Sequence, residues 1–458
     1  MEKKVVAIAC GLCKPKKDFN IISKRNLYLN YGLLGLCTIL EEKGYSVRQF
    51  QGEYLTPNEL IQVINRTEFN LNNIKYPILL SIVSFLSLEW CYELTKTLKE
   101  NYGVKCILGG KYVLDGNIEW LKMKLPYVDF FIEGAGEKKI EAALLFEQYD
   151  ESEETVEYFH ALNFSLLHNY KKYNPCVELA RGCGRGCVYC ADGRRQRSSI
   201  KDAKSVIQEL HSIEKMYSYE EFNVYYQIAT FEVNSDWIET YQKHLSEFAR
   251  VIEWRCTTRV DTINIGDLPK LAALGLKVID IGLESASPRQ LLLMNKTNNP
   301  KKYLSKAKEI LHVAYESGIW IKFNILLSAG ETIETVDETR SWLDQNKKYI
   351  KGVSANCETI YGPSNDFTKK FSSLGTRLEE INSLKSKGYS YIHLSDEINS
   401  DLAKKLALDL SRSNMSAKDY YDLKKYGYFP RDYHFQKFLA DIQAIEEAEL
   451  PFRKGELT

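Results

Sequence analysis

Arg181-Gly182-Cys183-Gly184-Arg185-Gly186-Cys187-Val188-Tyr189-Cys190 sets three thiols within eight residues, directly after the strand-like run Val177–Ala180. That spacing can wrap three ligands around one cuboidal iron–sulfur cluster, provided the intervening chain bends freely. Gly182, Gly184 and Gly186 supply that freedom and offer backbone amides to the cluster sulfurs. Three thiolates leave one iron without a protein ligand, whereas structural clusters and structural zinc sites close the sphere with a fourth residue. An open position implies that something binds and reacts there. The competing reading is a structural zinc site with Cys176 as the fourth ligand.

Strand-like runs and helical patterns alternate on both sides of this loop, which predicts an α/β protein with parallel sheets. Downstream the strand candidates are Val224–Ile228, Glu253–Thr257, Val278–Ile281, Lys322–Leu327 and Gly352–Asn356, separated by helices such as Lys201–Tyr217 and Asn234–Ala249. With Val177–Ala180 they make about six β/α units over residues 173–366, a partial (β/α)6 barrel. Upstream, residues 1–145 read as a Rossmann-like unit. Its strand candidates are Val5–Cys10, Val47–Phe50, Ile78–Ser84, Cys106–Leu108 and Phe130–Ile132, with helical stretches at Leu33–Lys43, Pro57–Ile64, Glu89–Glu100 and Asn117–Leu125. Ile78–Ser84 is apolar almost throughout, as a strand covered on both faces should be. Residues 146–172, with the acidic run EQYDESEETVE, read as a linker, and 367–458 as a mainly helical region.

The bulk numbers bound what such a chain does. At 458 residues it holds two or three domains. Lys plus Arg (61) equals Asp plus Glu (61), so no global field draws it to nucleic acid or a membrane surface. No window approaches ~18 uninterrupted apolar residues, and the N-terminal run Val5–Ala9 is too short for a signal-peptide core, so the chain reads as cytoplasmic. Its 11 cysteines are an odd number over a long chain, which points to metal or redox chemistry in a reducing compartment rather than to a disulfide framework.

The C-x-x-x-C-x-x-C spacing, with Tyr189 just before the third cysteine, resembles the radical S-adenosylmethionine (SAM) superfamily. Later segments fall in the order that resemblance requires: Phe231–Trp237, Trp254–Asp261, Gly282-Leu283-Glu284-Ser285-Ala286-Ser287, Met294-Asn295-Lys296, and Asn324–Thr332. The last is similar to the family's GLPGET turn, with Ser328-Ala329 in place of Gly-Pro as a departure. The resemblance implies a 4Fe-4S cluster on Cys183, Cys187 and Cys190, whose open iron is chelated by SAM. Reductive cleavage then releases a 5′-deoxyadenosyl radical, with the electron from an external donor such as flavodoxin or ferredoxin. It also implies a SAM-contact set of Tyr189, Arg255, Arg259, Glu284 and Ser285. Glu284 would fix the ammonium or ribose, and Arg255 or Arg259 would pair with the carboxylate. Plainer readings stand beside these: Arg259 and Asp261 as a surface ion pair, and Glu284 as a cap on the following helix.

The N-terminal unit resembles the cobalamin-binding domain found ahead of many radical SAM cores. The matching pieces are Leu33–Gly44, Leu79–Thr97, Leu108–Val113 and Val128–Glu137. The Asp-x-His-x-x-Gly signature that places a histidine on cobalt is absent from the chain. The resemblance therefore implies cobalamin without a histidine lower ligand. Ser84, Phe85, Leu86 and Leu88 would lie beneath the corrin, and Gly109, Gly110, Glu133, Gly134 and Gly136 at the neighbouring strand ends. The alternative is a relic fold or a docking lid that holds no cofactor. Cys10 and Cys13 form a C-x-x-C that reads either as a metal or redox pair or as ordinary thiols at a strand end.

Together these features imply a cobalamin-dependent enzyme that cleaves SAM and transfers a methyl group to an unactivated carbon of a small-molecule or natural-product intermediate. No catalytic residue beyond the cofactor ligands is assigned. A rearranging or ring-forming radical enzyme, a methylthiolating enzyme and a cobalamin or metal sensor with a structural cluster are the competing functions. The Tyr-rich tail pieces (Tyr420-Tyr421 and Tyr426–Tyr433) read either as a cover for the barrel mouth or as packing helices.

Overall fold

The computed structural model describes residues 3–13, 21–113, 117–147, 161–190, 193, 195–362, 366–380 and 382–455. They form two compact units, one reaching from the N-terminus to Tyr173 with two short later segments, the other from Asn174 onward. The acidic run over 148–160 lies outside the described residues.

The first unit is a five-stranded parallel sheet in the order β2-β1-β3-β4-β5. Its strands are β1 (Lys4–Ala9), β2 (Ser46–Gln51), β3 (Ile78–Ser81), β4 (Cys106–Gly109) and β5 (Phe130–Phe131). Val5, Val6, Ala7 and Ile8 are fully buried, as required of a central strand covered by helices on both faces. The helices start where the sequence offers caps. Asn30 accepts from Leu33 N ahead of Tyr31–Glu42, and Thr56 and Glu59 form a capping box around Pro57–Asn65. Gly103, in the left-handed region, ends Leu88–Tyr102. Strand order reverses between β1 and β3, so the crevice at their C-terminal ends is where an open α/β sheet takes a ligand. Of the segment read as a linker, Leu167 bridges to Gln49 and His168 packs on Phe50, so this stretch lies along β2.

The second unit is a six-stranded sheet in unbroken order β11-β10-β9-β8-β7-β6, every pair parallel. The strands are β6 (Cys176–Glu178), β7 (Val224–Gln227), β8 (Trp254–Arg259), β9 (Leu276–Glu284), β10 (Trp320–Leu327) and β11 (Gly352–Cys357). This is a partial barrel. Along β10 burial alternates: Ile321, Phe323, Ile325 and Leu327 are sealed, while Trp320, Lys322, Asn324 and Leu326 on the other face are partly exposed. The sealed set lies under the helices, and the other set lines the lumen.

The C-terminal region is mainly helical (Ser400–Ser413, Ala417–Lys425, Phe435–Gln443), with a small three-stranded sheet in which Tyr389–His393 lies between Thr359–Tyr361 and the antiparallel Arg377–Leu378. Ser411 accepts from Ala355 N, so the first of these helices satisfies part of the free edge of β11. Tyr420, Tyr421, Phe429, Phe438 and Phe452 pack on one another as a small aromatic core. The turn beyond it closes the N-terminal end of the barrel. Tyr426 bonds the Glu253 carboxylate and meets Trp320 edge-on, and Leu423 and Met415 lie against the α-carbon of Gly352. The Tyr-rich tail thus seals the end of the barrel opposite the cysteine loop.

Candidate active site

The cysteine loop leaves the C-terminal end of β6 and is held by its own backbone. Cys183 N donates to Arg195 O (3.0 Å), Gly186 N to Gly193 O (2.9 Å), and Cys190 N to Cys187 O (3.2 Å). Gly182, Gly184 and Gly186 all take positive φ, at 72°, 70° and 71°. A Cβ on Gly182 would stand 2.3 Å from Gln196 O, so the loop can follow this path only with glycine there. Cys187 is buried, and Cys183 and Cys190 are half-buried. Arg259 donates to the Cys187 sulfur at 3.0 Å and Thr230 lies 3.3 Å from that of Cys183. A donor held against a ligand's sulfur fixes where that sulfur points. Among the described residues no three His, Cys, Asp or Glu side chains converge as they would on a single metal ion. Cys176 does not join the three thiols. It sits at the start of β6, level with Tyr225, where burial pushes its thiol well above the usual range. The donor set is three thiols on a glycine-bearing loop, which fits a cluster with one open corner.

Facing the loop is the end of β9, and here the backbone is strained. Register slips by one residue between β9 and β10, with Asn324 opposite Gly282 and Ile325 opposite Glu284. Glu284 takes φ 68°, a left-handed conformation that costs a non-glycine residue on the order of 1 kcal/mol or more. The bulge turns its carboxylate back over Gly282, where a Cβ would lie 2.5 Å from Glu284 Oε1 and 3.0 Å from Lys296 Nζ. Lys296 donates to Glu284 (3.1 Å) and reaches the Tyr189 hydroxyl (3.4 Å). Glu284 is not the helix cap: Ser287 accepts from Gln290 N and starts Pro288–Leu293.

The remaining SAM-contact candidates divide. Arg259, the last residue of β8, is buried. It pairs with Asp261 through two bonds (2.8 and 3.0 Å), donates to Lys296 O (2.7 Å) and holds Cys187. Tyr189, Arg259, Glu284 and Lys296 therefore stand together around the thiols. Ser285 is turned into the fold, beside Thr339 (3.1 Å) and accepting from Ser287 N (3.1 Å). Arg255 is not brought to the loop. It lies four residues before Arg259, about 13 Å along the strand, and its guanidinium grips Asp280 at 2.6 and 2.7 Å. Lys296 is a member that the sequence reading quoted without assigning a contact.

The turn beyond β10 holds two buried carboxylates. The Ser328 hydroxyl donates to Glu358, and Glu331, beside Thr335, accepts from Ser328 N at Oε2 (3.4 Å), while its Oε1 has no hydrogen-bond partner among the described residues. Burial pushes Glu331 up to about 8 and Glu358 up to about 7. A carboxyl raised on folding keeps its proton in the native state while the unfolded chain has lost it. Stability therefore falls as pH rises from about 4.3 towards 8 and is level outside that window. Glu331→Gln, which fixes the neutral form, is expected to flatten this slope and to stabilise the fold at pH 8 by on the order of 2 kcal/mol. Denaturant unfolding at pH 5 and pH 8 checks it; equal stabilisation at both would show that Glu331 is not the titrating group.

In the first unit the cobalamin candidates gather at the C-terminal ends of β3, β4 and β5. Ser84 caps Leu86 N (3.2 Å); Phe85 is buried against Tyr112 (ring centroids 4.0 Å) and Trp120 (5.6 Å). Leu88 is buried, Leu86 is half-buried, and Val83, not singled out from sequence, is 43% exposed. Gly109 ends β4. A Cβ on Gly110 (φ 114°) would lie 2.3 Å from Ile82 O, so β3 and β4 end in close backbone contact. Glu133 is exposed and Gly134 and Gly136 follow it beyond β5, with Gly136 close to Leu36. Cys10 is buried against Cys91, whereas Cys13 is exposed.

Residues 177–343 match the Radical SAM superfamily. A 179-residue stretch is 26% identical to "Uncharacterized methyltransferase PH0819" of Pyrococcus horikoshii, covering 38% of this chain and 36% of that one. Among solved structures, the cobalamin-dependent SAM radical enzyme OxsB with aqua-cobalamin and SAM bound superposes with TM-score 0.56 at 16% identity, over 75% of this chain and 52% of OxsB. The radical SAM methyltransferase TsrM from Kitasatospora setae, with cobalamin and a [4Fe-4S] cluster bound, gives TM-score 0.65 at 12% identity, over 92% and 89%. At such identities the likeness is one of fold. No helix among the described residues is long and apolar enough to cross a membrane.

Proposed function

We propose, from the premise that residues 177–343 of this chain are a radical SAM domain, that the protein is a cobalamin-dependent radical SAM enzyme that methylates a small molecule. The observation that carries this reading is the meeting of the three-thiol loop with Glu284, Lys296, Tyr189 and Arg259 at the open end of a parallel barrel. A cluster on Cys183, Cys187 and Cys190 would supply the electron that splits the SAM sulfonium, and cobalamin would carry the methyl group.

The chain's own residues do the rest. Glu284, held forward by its bulge, offers a carboxylate to the SAM ammonium, and Lys296 is the cation that such a ligand displaces or joins. Arg259, fixed by Asp261, keeps Cys187 oriented and its charge balanced. The electron would come from an external reductant such as flavodoxin or ferredoxin; Arg181 and Arg185, exposed beside the cysteines, are each paired with a carboxylate of this chain, Glu178 and Glu232. In the first unit, Gly110 serves the close approach of β3 and β4, and a cobalamin held at these strand ends would meet the aliphatic carbon of Val83 and Leu86, which carry no ligating atom. Methyl transfer to an unactivated carbon is the finer part of the reading, and it draws on TsrM and the Pyrococcus relative by likeness alone.

The test is anaerobic reconstitution with iron, sulfide, cobalamin and SAM, followed by cobalt analysis and product detection under a chemical reductant. Stoichiometric cobalt with 5′-deoxyadenosine supports the reading, and methylated product from an added small-molecule panel supports its finer part. SAM cleavage without cobalt would remove the cobalamin, and no cleavage at all would overturn the function. In the same preparation Glu284→Gln is expected to weaken SAM binding by roughly tenfold to a hundredfold with the cluster intact. Unchanged SAM affinity would take Glu284 out of the site.

A further inference from the structure

The lumen of the barrel carries charge below the level of the thiols. Asp280 on β9 is gripped by Arg255 from β8 at 2.6 and 2.7 Å, and by Lys322 from β10 at 2.9 Å. Arg255 is sandwiched between the rings of Tyr225 (5.5 Å) and Tyr428 (5.3 Å) and bonds Leu423 O in the tail. The side chains of Arg255 and Asp280 are 1% and 3% exposed, whereas that of Lys322 is 18% exposed. One carboxylate thus serves two cations, and the cation that a ligand can reach is Lys322. The carboxylate of Glu253, just before β8, is held by the Tyr426 hydroxyl.

Around Lys322 the lumen face is polar and partly exposed. Asn324 gives its amide oxygen to Lys322 (3.0 Å), so its N–H groups are the donors it presents elsewhere. Tyr225, Gln227, Thr257 and Ser354 on the neighbouring strands are partly exposed on the same face. We infer that this floor is a binding subsite for a carboxylate of the substrate, with Lys322 meeting it and Asn324 beside it. A surplus of one positive charge in a low-dielectric wall recruits one negative charge. A carboxylate fits better than a phosphate. The reachable donors are one ammonium and one amide, with Arg255 spent on Asp280 and no cradle of backbone amides at mid-strand. This rests on the reading of the barrel as the substrate chamber, and it adds the chemical class that chamber selects: carboxylic acids.

The test reads binding rather than turnover. The full-length protein is titrated with 13C-labelled propanoate, propanamide and inorganic phosphate, following line broadening of the probe. Propanoate is expected to bind, with its affinity falling as chloride is added, and propanamide to bind at least about tenfold more weakly. Lys322→Met, similar in length and without the charge, is expected to weaken propanoate by about tenfold or more. Equal binding of propanoate and propanamide by the wild type would overturn the proposal, as would undiminished binding by a folded Lys322→Met. Tighter binding of phosphate than of propanoate overturns the assigned class. If Lys322→Met does not fold, the wild-type comparison of acid and amide decides. No SAM is cleaved in this experiment, so a protein that binds propanoate and yields no 5′-deoxyadenosine loses the proposed activity and keeps this subsite; the reverse pattern does the opposite.

Discussion

Cys190→Ser, reconstituted under anaerobic conditions, is expected to hold no intact cluster and to cleave SAM at less than about one hundredth of the wild-type rate. The same is expected of Cys183→Ser. Changing residues that only orient metal ligands costs 10–100-fold in many sites, and a direct ligand should cost more. The fold itself should survive. Both cysteines are half-buried on a loop pinned by backbone hydrogen bonds, so neither contributes a packed core side chain. The control is Cys176→Ala. That thiol is buried at the far end of β6, and its loss should leave iron content unchanged. The measurement is iron, sulfide and zinc per chain beside 5′-deoxyadenosine formation. A Cys176 variant that lost metal, with zinc in the wild type, would restore the structural-zinc reading and end the radical one.

Much of this site was legible because its signals are local. Three cysteines and three glycines within a few residues define the loop without reference to any distant contact. The barrel followed from the alternation of strand-like and helical runs between Val177 and Asn356. What the pattern could not convey was depth along a strand. Reading β8 as Glu253–Thr257 put Arg255 in mid-strand, whereas the strand runs Trp254–Arg259 and puts Arg255 near its start. Both arginines share a face, but only the one at the C-terminal end reaches the thiols. The rule that parallel barrels work at their C-terminal ends would have separated them, given the right strand end.

Other features were hidden for different reasons. The bulge at Glu284 is made by pairing with β10, and nothing in Gly282-Leu283-Glu284 alone demands a left-handed glutamate. Ile78–Ser84 read as one apolar strand, but the Ser84 hydroxyl starts a helical turn and β3 ends at Ser81. That early end is what leaves Val83 exposed. Arg377–Leu378 and Tyr389–His393 are too short to show a period, so the tail read as mainly helical with no strand assigned in it.

Arg255→Ala is expected to destabilise the second unit by about 3–5 kcal/mol, the usual result of removing one partner from a buried ion pair. The guanidinium is fully enclosed, bonded twice to Asp280 and stacked between two tyrosines, so no water replaces it. Burial alone would raise Asp280, but Arg255 and Lys322 outweigh it and hold the carboxyl well below the usual range. A carboxyl lowered on folding stabilises the native state at every pH above its unfolded value near 3.9, and that contribution is lost as pH falls further. In Arg255→Ala the lowering is reduced, so acid unfolding should begin at higher pH than in the wild type. Equilibrium unfolding in denaturant between pH 3 and pH 7 reads both effects. Arg255→Met combined with Asp280→Leu and Lys322→Met, which removes all three charges of the cluster, should recover most of the loss, because a buried ionic cluster replaced by apolar groups of similar volume costs little. If the triple variant is as unstable as the single one, the tyrosine stacking and the bond to the tail matter more than the charges. The same proteins decide which arginine serves SAM. At a temperature where Arg255→Ala remains folded its SAM affinity should be that of the wild type, and a tenfold loss there would return Arg255 to the SAM site.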